Sequence, residues 1–157
     1  MRPVFNGNLY SISHLHFQEI SVQYKYEQMF LEGDENMPLI PADSLPYFEN
    51  MIYLPMVLTV LEKDRESIEK GSFKLKRPYV NIIDQAVKEA QKTLKDTRLY
   101  LRQNNMKVIR GNRDDTFTEY VFFYGGYEEH RRYLNVRLRN RVEELLGVYL
   151  VIAKQIN

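Results

Sequence analysis

The sequence predicts a mainly helical α+β protein: a helical bundle of about four to five helices with one β-hairpin before the C-terminal helix. Three observations predict this. Ile83, Val87, Ala90, Leu94, Thr97 and Leu101 are spaced by four and three residues in turn, the seam of a long helix packed along a neighbour. Leu134, Leu138, Val142, Leu145, Tyr149 and Ile152 form a second apolar stripe near the C-terminus. Between these stripes, Lys107–Arg110 and Thr116–Tyr124 are strand-like runs on either side of Gly111-Asn112-Arg113-Asp114-Asp115, the pattern of a hairpin. A chain of 157 residues is long enough to bury a core as one domain over 1–157 without cross-links.

The elements follow in chain order. Residues 9–26 fit two periodicities. Tyr10, Ile12, His14, His16, Gln18 and Ile20 alternate as on a strand, whereas Ile12, Leu15, Glu19, Val22, Tyr26 and Met29 fit a helix. No turn residue interrupts the run, which favours a helix from about Ser13 to Leu31. Glu32-Gly33-Asp34-Glu35-Asn36 breaks it, and Pro38 and Pro41 impose an extended linker. Ser44 is an N-cap for the next helix, with Pro46 tolerated in its first turn. That helix carries Phe48, Met51, Ile52, Val57, Leu58 and Leu61. Pro55 should kink or split it, because proline removes a backbone donor. Gly71 ends it, and Pro78 opens the long helix, which closes at Asn104-Asn105. After the hairpin, over about 107–124, Gly125-Gly126 breaks the strand and a final helix is expected over about 127–153.

Charge is laid out unevenly. Residues 1–69 hold four basic against eleven acidic side chains, residues 70–157 hold eighteen against ten, and residues 70–113 alone hold twelve against three. An acidic half joined to a basic region points to a polyanion or an acidic protein as partner. The chain has no cysteine, so disulfides, thiolate nucleophiles and cysteine metal sites are excluded. The first residues, Met1 to Asn6, lack the apolar region of a secretion signal. The longest strongly apolar stretch, 51–61, is too short to span a bilayer. A cytoplasmic protein with no membrane partner is therefore expected.

The long helix bears a second stripe. Lys88, Lys92, Lys95 and Arg102 fall on one side at 3.6 residues per turn, away from the apolar seam. Lys107, Arg110 and Arg113 continue the positive charge onto the hairpin. A basic helix followed by a basic hairpin can track phosphates along a duplex. A solvated helix face explains four such cations equally simply. The arginines around the last helix (Arg131, Arg132, Arg137, Arg139, Arg141) scatter about its stripe and form no single face, so pairing with the acidic N-terminal half, within a subunit or across a dimer, explains them at least as well as phosphate binding. Tyr120, Phe122 and Tyr124 share one side of the second strand, with Phe117, Val121 and Phe123 on the other. Core packing accounts for these more simply than base stacking.

Chemistry beyond binding has little to stand on. His14 and His16 are two of three histidines, too few for a metal centre, and His130 lies far along the chain. The acidic pairs at 34/35, 114/115, 128/129 and 143/144 read as surface or turn residues. No phosphate-binding loop and no serine nucleophile motif is present. An enzyme would have to assemble its site from scattered residues such as His14, His16, Glu19 and His130. The expectation is a small cytoplasmic, non-enzymatic binding or regulatory protein, a homodimer without cofactor or metal. It contacts nucleic acid through Lys88, Lys92, Lys95, Arg102, Lys107, Arg110 and Arg113. The alternative is a homodimeric protein-protein interaction module whose basic face meets an acidic protein partner, with the Ile83–Leu101 seam and the last helix in the dimer interface.

Overall fold

The computed structural model describes residues 40–156, which form three helices and a three-stranded antiparallel sheet. The expected helix over 13–31, His14 and His16 lie outside the described residues. The order is α1 (Leu45–Lys70), α2 (Arg77–Gln103), β1 (Lys107–Arg113), β2 (Phe117–Tyr124), β3 (Tyr127–Leu134) and α3 (Asn135–Ile156). The described residues fall in two units, the first reaching Pro46 and the second running from Tyr47. Among the described residues no helix is long and apolar enough to cross a membrane.

α1 follows a tight turn in which the amides of Ser44 and Leu45 donate to the Pro41 carbonyl at 2.8 and 3.2 Å. Pro55 lies inside it, but does not split it. Its missing amide costs about 3 kcal/mol in a helix interior. Ile52, Tyr53, Leu54 and Val57 are buried around that point, and their burial holds the helix together against this cost. The buried positions Phe48, Glu49, Ile52, Tyr53, Leu54 and Val57 lie on most sides of α1, so its first half is enclosed. None of residues 62–70 is buried.

α1 and α2 form an antiparallel hairpin. Tyr47 stacks on Tyr100 with ring centroids 3.6 Å apart, Asn50 donates to the Thr97 hydroxyl at 3.1 Å, and Arg65 pairs with Asp84 at 2.7 Å. As the residue number rises in one helix it falls in the other. The buried seam of α2 is Ile83, Ala86, Ala90, Leu94, Thr97 and Leu101. It differs from the expected seam at one position, where Ala86 replaces Val87. It is covered within the chain, where α3 also packs on α2, so the seam is not free to face a second copy. α2 ends in a Schellman arrangement. The Met106 amide donates to the Leu101 carbonyl at 2.8 Å, the Asn105 amide to Arg102 at 3.3 Å, and Asn105 is left-handed with φ 53°.

The sheet corrects the sequence reading most. β1 does not end at Arg110 but runs to Arg113 through an irregularity in register. The turn is then built by Asp114, whose Oδ1 accepts from the amides of Thr116 (2.8 Å) and Phe117 (2.6 Å). Gly125 and Gly126, with φ 55° and 81°, are the two central residues of a second hairpin turn. Residues 127–134 are therefore a strand, not the start of the last helix, and the helix begins at Asn135. Among the described residues the result is three helices and a three-stranded meander, β1-β2-β3, which does not match the expected four to five helices and one hairpin.

One face of β2, Thr118, Tyr120, Phe122 and Tyr124, is buried, and Phe48 of α1 packs on Phe122 and Tyr124 at 5.0 and 6.1 Å. Asn135 fastens the base of α3 to the first turn of the sheet. Its amide donates to the Thr116 carbonyl, its side-chain nitrogen to the Asp114 carbonyl, and it accepts from the buried Thr118 hydroxyl at 2.6 Å.

Candidate nucleic-acid interface

α2 places its basic stripe opposite its buried seam. At 100° per residue, Lys88, Lys92, Lys95 and Arg102 span an arc centred about half a turn from Ala90 and Thr97. All four are exposed, and Arg98 flanks them. From Lys88 to Arg102 the stripe rises about 21 Å, roughly six base-pair steps of a duplex. Three residues separate α2 from β1, so positive charge passes from Arg102 to Lys107 across one short turn.

β1 is an edge strand, and Val108 is its one partly covered residue. Lys107, Arg110 and Arg113 are exposed. Arg110 pairs in register with Tyr120, and the charges of Arg110 and Arg113 act on the Tyr120 hydroxyl. Burial raises that phenol above its ordinary value, and the two arginines oppose the rise. The irregularity between Arg110 and Arg113 accommodates Glu119 of β2. A Cβ at Gly111 would lie 2.8 Å from the Glu119 carboxylate and 3.3 Å from its Cβ and Cγ, so a larger residue there would push that side chain aside.

None of the seven cations forms an ion pair with a carboxylate among the described residues. Other basic side chains do. Arg65 pairs with Asp84 and Glu69, Lys70 with Glu66, Arg131 with Glu129, Arg132 with Asp114 and Arg141 with Glu144. Arg131 also lies over the Phe122 ring at 4.8 Å, and Arg132 over Phe117 at 4.3 Å. In these ion pairs Arg131, Arg132 and Arg141 meet carboxylates, but not those of the acidic first half of the chain. Their partners come from the second half, and Arg131 and Arg132 sit on β3.

His130, also on β3, lies between two carboxylates, with Nδ1 2.9 Å from Glu119 and Nε2 2.9 Å from Glu128. Hydrogen bonds to Glu119 first and Glu128 second raise its pKa, and the bond from His130 lowers that of Glu119. No group of three or more metal-ligating side chains with a geometry able to hold an ion occurs among the described residues.

Sequence reasoning missed one cluster. Glu49 of α1 is buried to 8 % exposure, and burial pushes its carboxyl up to about 7 against the attraction of Arg141 and Arg131. Arg141 gives one guanidinium nitrogen to Glu144 at 2.6 Å, while its buried Nε has no hydrogen-bond partner. Glu129 joins the group by accepting from the Tyr124 hydroxyl at 2.7 Å and from Arg131. The available signal was an acid, Glu49, next to Phe48 and three residues before Ile52, within an apolar stripe.

The model of the YhjD protein family matches residues 39–154. The chain is also 40 % identical over 114 residues, covering 73 % of its own length and 95 % of the relative's, to the Bacillus subtilis (strain 168) protein described as "Uncharacterized protein YhjD". No solved structure matches. The chain belongs to the YhjD family.

Proposed function

We propose that this member of the YhjD family is a cytoplasmic, non-enzymatic binding or regulatory protein that contacts nucleic acid through α2 and β1. The observation that supports this reading is the contrast among its cations. Lys88, Lys92, Lys95, Arg102, Lys107, Arg110 and Arg113 are exposed without a carboxylate partner among the described residues, whereas five other basic side chains are paired. Exposed, unpaired cations in a row can neutralise successive phosphates and release their counterions. No side chain in the row is placed by a neighbour for bidentate reading of a base edge, so recognition follows backbone shape and charge.

The test is fluorescence anisotropy of labelled duplex and single-stranded DNA and RNA across a salt titration. The wild type is compared with a Lys88→Glu, Lys92→Glu, Lys95→Glu variant. Binding that weakens steeply with salt and is lost in the variant supports the reading. No binding at low salt overturns it, and the same surface then belongs to an acidic protein partner.

A further inference from the structure

We propose that the tip of the α1–α2 hairpin docks on an anionic lipid surface. The tip comprises the end of α1, residues 71–76 and the first turn of α2. It displays three large apolar side chains to solvent: Phe73 at 51 % exposure, Leu75 at 75 % and Tyr79 at 52 %. Side chains this exposed contribute little to the core, and several together mark a contact surface. They are also held in place. The rings of Phe73 and Tyr79 lie 5.8 Å apart, and a Cβ at Gly71 would come within 3.1 Å of the Phe73 ring and 2.9 Å of the Ser67 carbonyl. Gly71 thus lets the ring fold back over the helix end.

Charge surrounds this apolar group. Lys70, Lys74, Lys76 and Arg77 are interleaved with it, and the nearby acids Glu66 and Glu69 are engaged by Lys70 and Arg65. Lys76 donates to the Glu69 carbonyl at 2.7 Å, placing its ammonium at the C-terminal end of α1. Lys74 and Arg77 are exposed and form no ion pair among the described residues. Cations ringing exposed aromatic and aliphatic side chains are the elements of interfacial binding: the charges meet anionic headgroups while the apolar groups enter the acyl boundary.

Position favours the same occupant. Leu61 is the last buried residue of α1 and Ile83 the first of α2, so residues 62–82 extend past the core as a two-helix projection. Phe48, which packs on the sheet, precedes Lys70 by 22 residues of helix, a rise of about 33 Å. Leu75, the most exposed of the three, decides between lipid and nucleic acid. An aliphatic side chain cannot stack on a base, but it gains by entering hydrocarbon. Surface contact of this kind needs no spanning helix.

The test is co-sedimentation of the full chain with vesicles of phosphatidylcholine alone or phosphatidylcholine with phosphatidylglycerol, at low and high salt. The wild type is expected to bind the anionic vesicles and to bind the zwitterionic ones far more weakly. A Phe73→Ser, Leu75→Ser variant and a Lys74→Glu, Arg77→Glu variant are each expected to lose about tenfold or more in partition, with unchanged thermal unfolding because these residues lie outside the core. The Lys88→Glu, Lys92→Glu, Lys95→Glu variant is expected to keep vesicle binding, and the tip variants to keep any nucleic-acid binding, so the two readings can fail separately. Absence of binding to anionic vesicles at low salt overturns the proposal. So does equal binding to both vesicle types, or binding that survives the Phe73→Ser, Leu75→Ser change.

Discussion

The Glu49 carboxyl of α1 and the Arg141 guanidinium of α3 lie within electrostatic reach of one another in the interior, with no hydrogen bond between them. Arg131 of β3, itself paired with Glu129, also acts on Glu49. One buried acid thus faces two arginines from two different elements, and burial still outweighs their attraction.

This predicts a pH dependence of stability. The folded chain holds the Glu49 proton up to about pH 7, whereas an unfolded glutamate releases it near 4.5. The unfolded state therefore binds fewer protons between these values, and the stability associated with Glu49 falls as pH rises from about 4.5 through about 7. Glu49→Gln removes the titration. Relative to wild type the variant should gain stability between pH 4.5 and pH 8, by up to about 3 kcal/mol. Urea unfolding of both proteins across that range measures the difference, and a constant difference would rule the effect out.

His130 should titrate above an ordinary histidine, because both ring nitrogens face carboxylates. NMR titration of its ring protons reads the pKa directly. Glu119→Gln, which removes the largest cause, is expected to lower it more than Glu128→Gln. Equal pKa values in all three proteins would contradict the observed geometry.

If all seven cations of α2 and β1 meet phosphates of a duplex, the logarithm of affinity should fall with the logarithm of salt at a slope of about −6. Replacing Lys107, Arg110 and Arg113 with Gln should flatten that slope by about 3 while leaving some binding to the helix. A slope unchanged by these substitutions would remove β1 from the interface.

Two glycines should respond oppositely to alanine. Gly126 has φ 81° in the β2–β3 turn, so Gly126→Ala strains the backbone and should cost about 1 kcal/mol or more, although space is open. Gly147 lies within α3 with nothing within 4 Å of an added Cβ. Gly147→Ala should stabilise by about 0.5–1 kcal/mol. Thermal unfolding of the two variants tests both signs.

Elements whose apolar positions face one way were legible in the sequence. The α2 seam was readable from its spacing, except that Ala86 is buried where Val87 was expected, and α1 began and ended at the residues its caps marked. β3 was not legible, because its partly covered positions Glu129, Arg131 and Tyr133 include an acid and a base. The apolar alternation of a strand is therefore missing, and the run looked like charged helix. Its inward charges are tolerable only because Glu129 meets Arg131 and the Tyr124 hydroxyl. Lys88, Lys92, Lys95 and Arg102 were named from helical spacing, and their exposure follows from the seam on the other side of α2; Lys107, Arg110 and Arg113 were named from the run of charge and are exposed on an edge strand. The exposed tip of the α1–α2 hairpin was not legible, because the exposure of Phe73, Leu75 and Tyr79 cannot be read from residue type.

By itself, the sequence determined the α+β class, the ends of α1 and α2 and the charge imbalance, since each depends on neighbours within a few residues. The tertiary structure alone decided that the chain continues as helix through Pro55, that residues 127–134 pair as a strand, and that Glu49 meets Arg141 and Arg131. These outcomes rest on partners distant in sequence: packing around α1, register with β2, and burial that gathers charges from three elements.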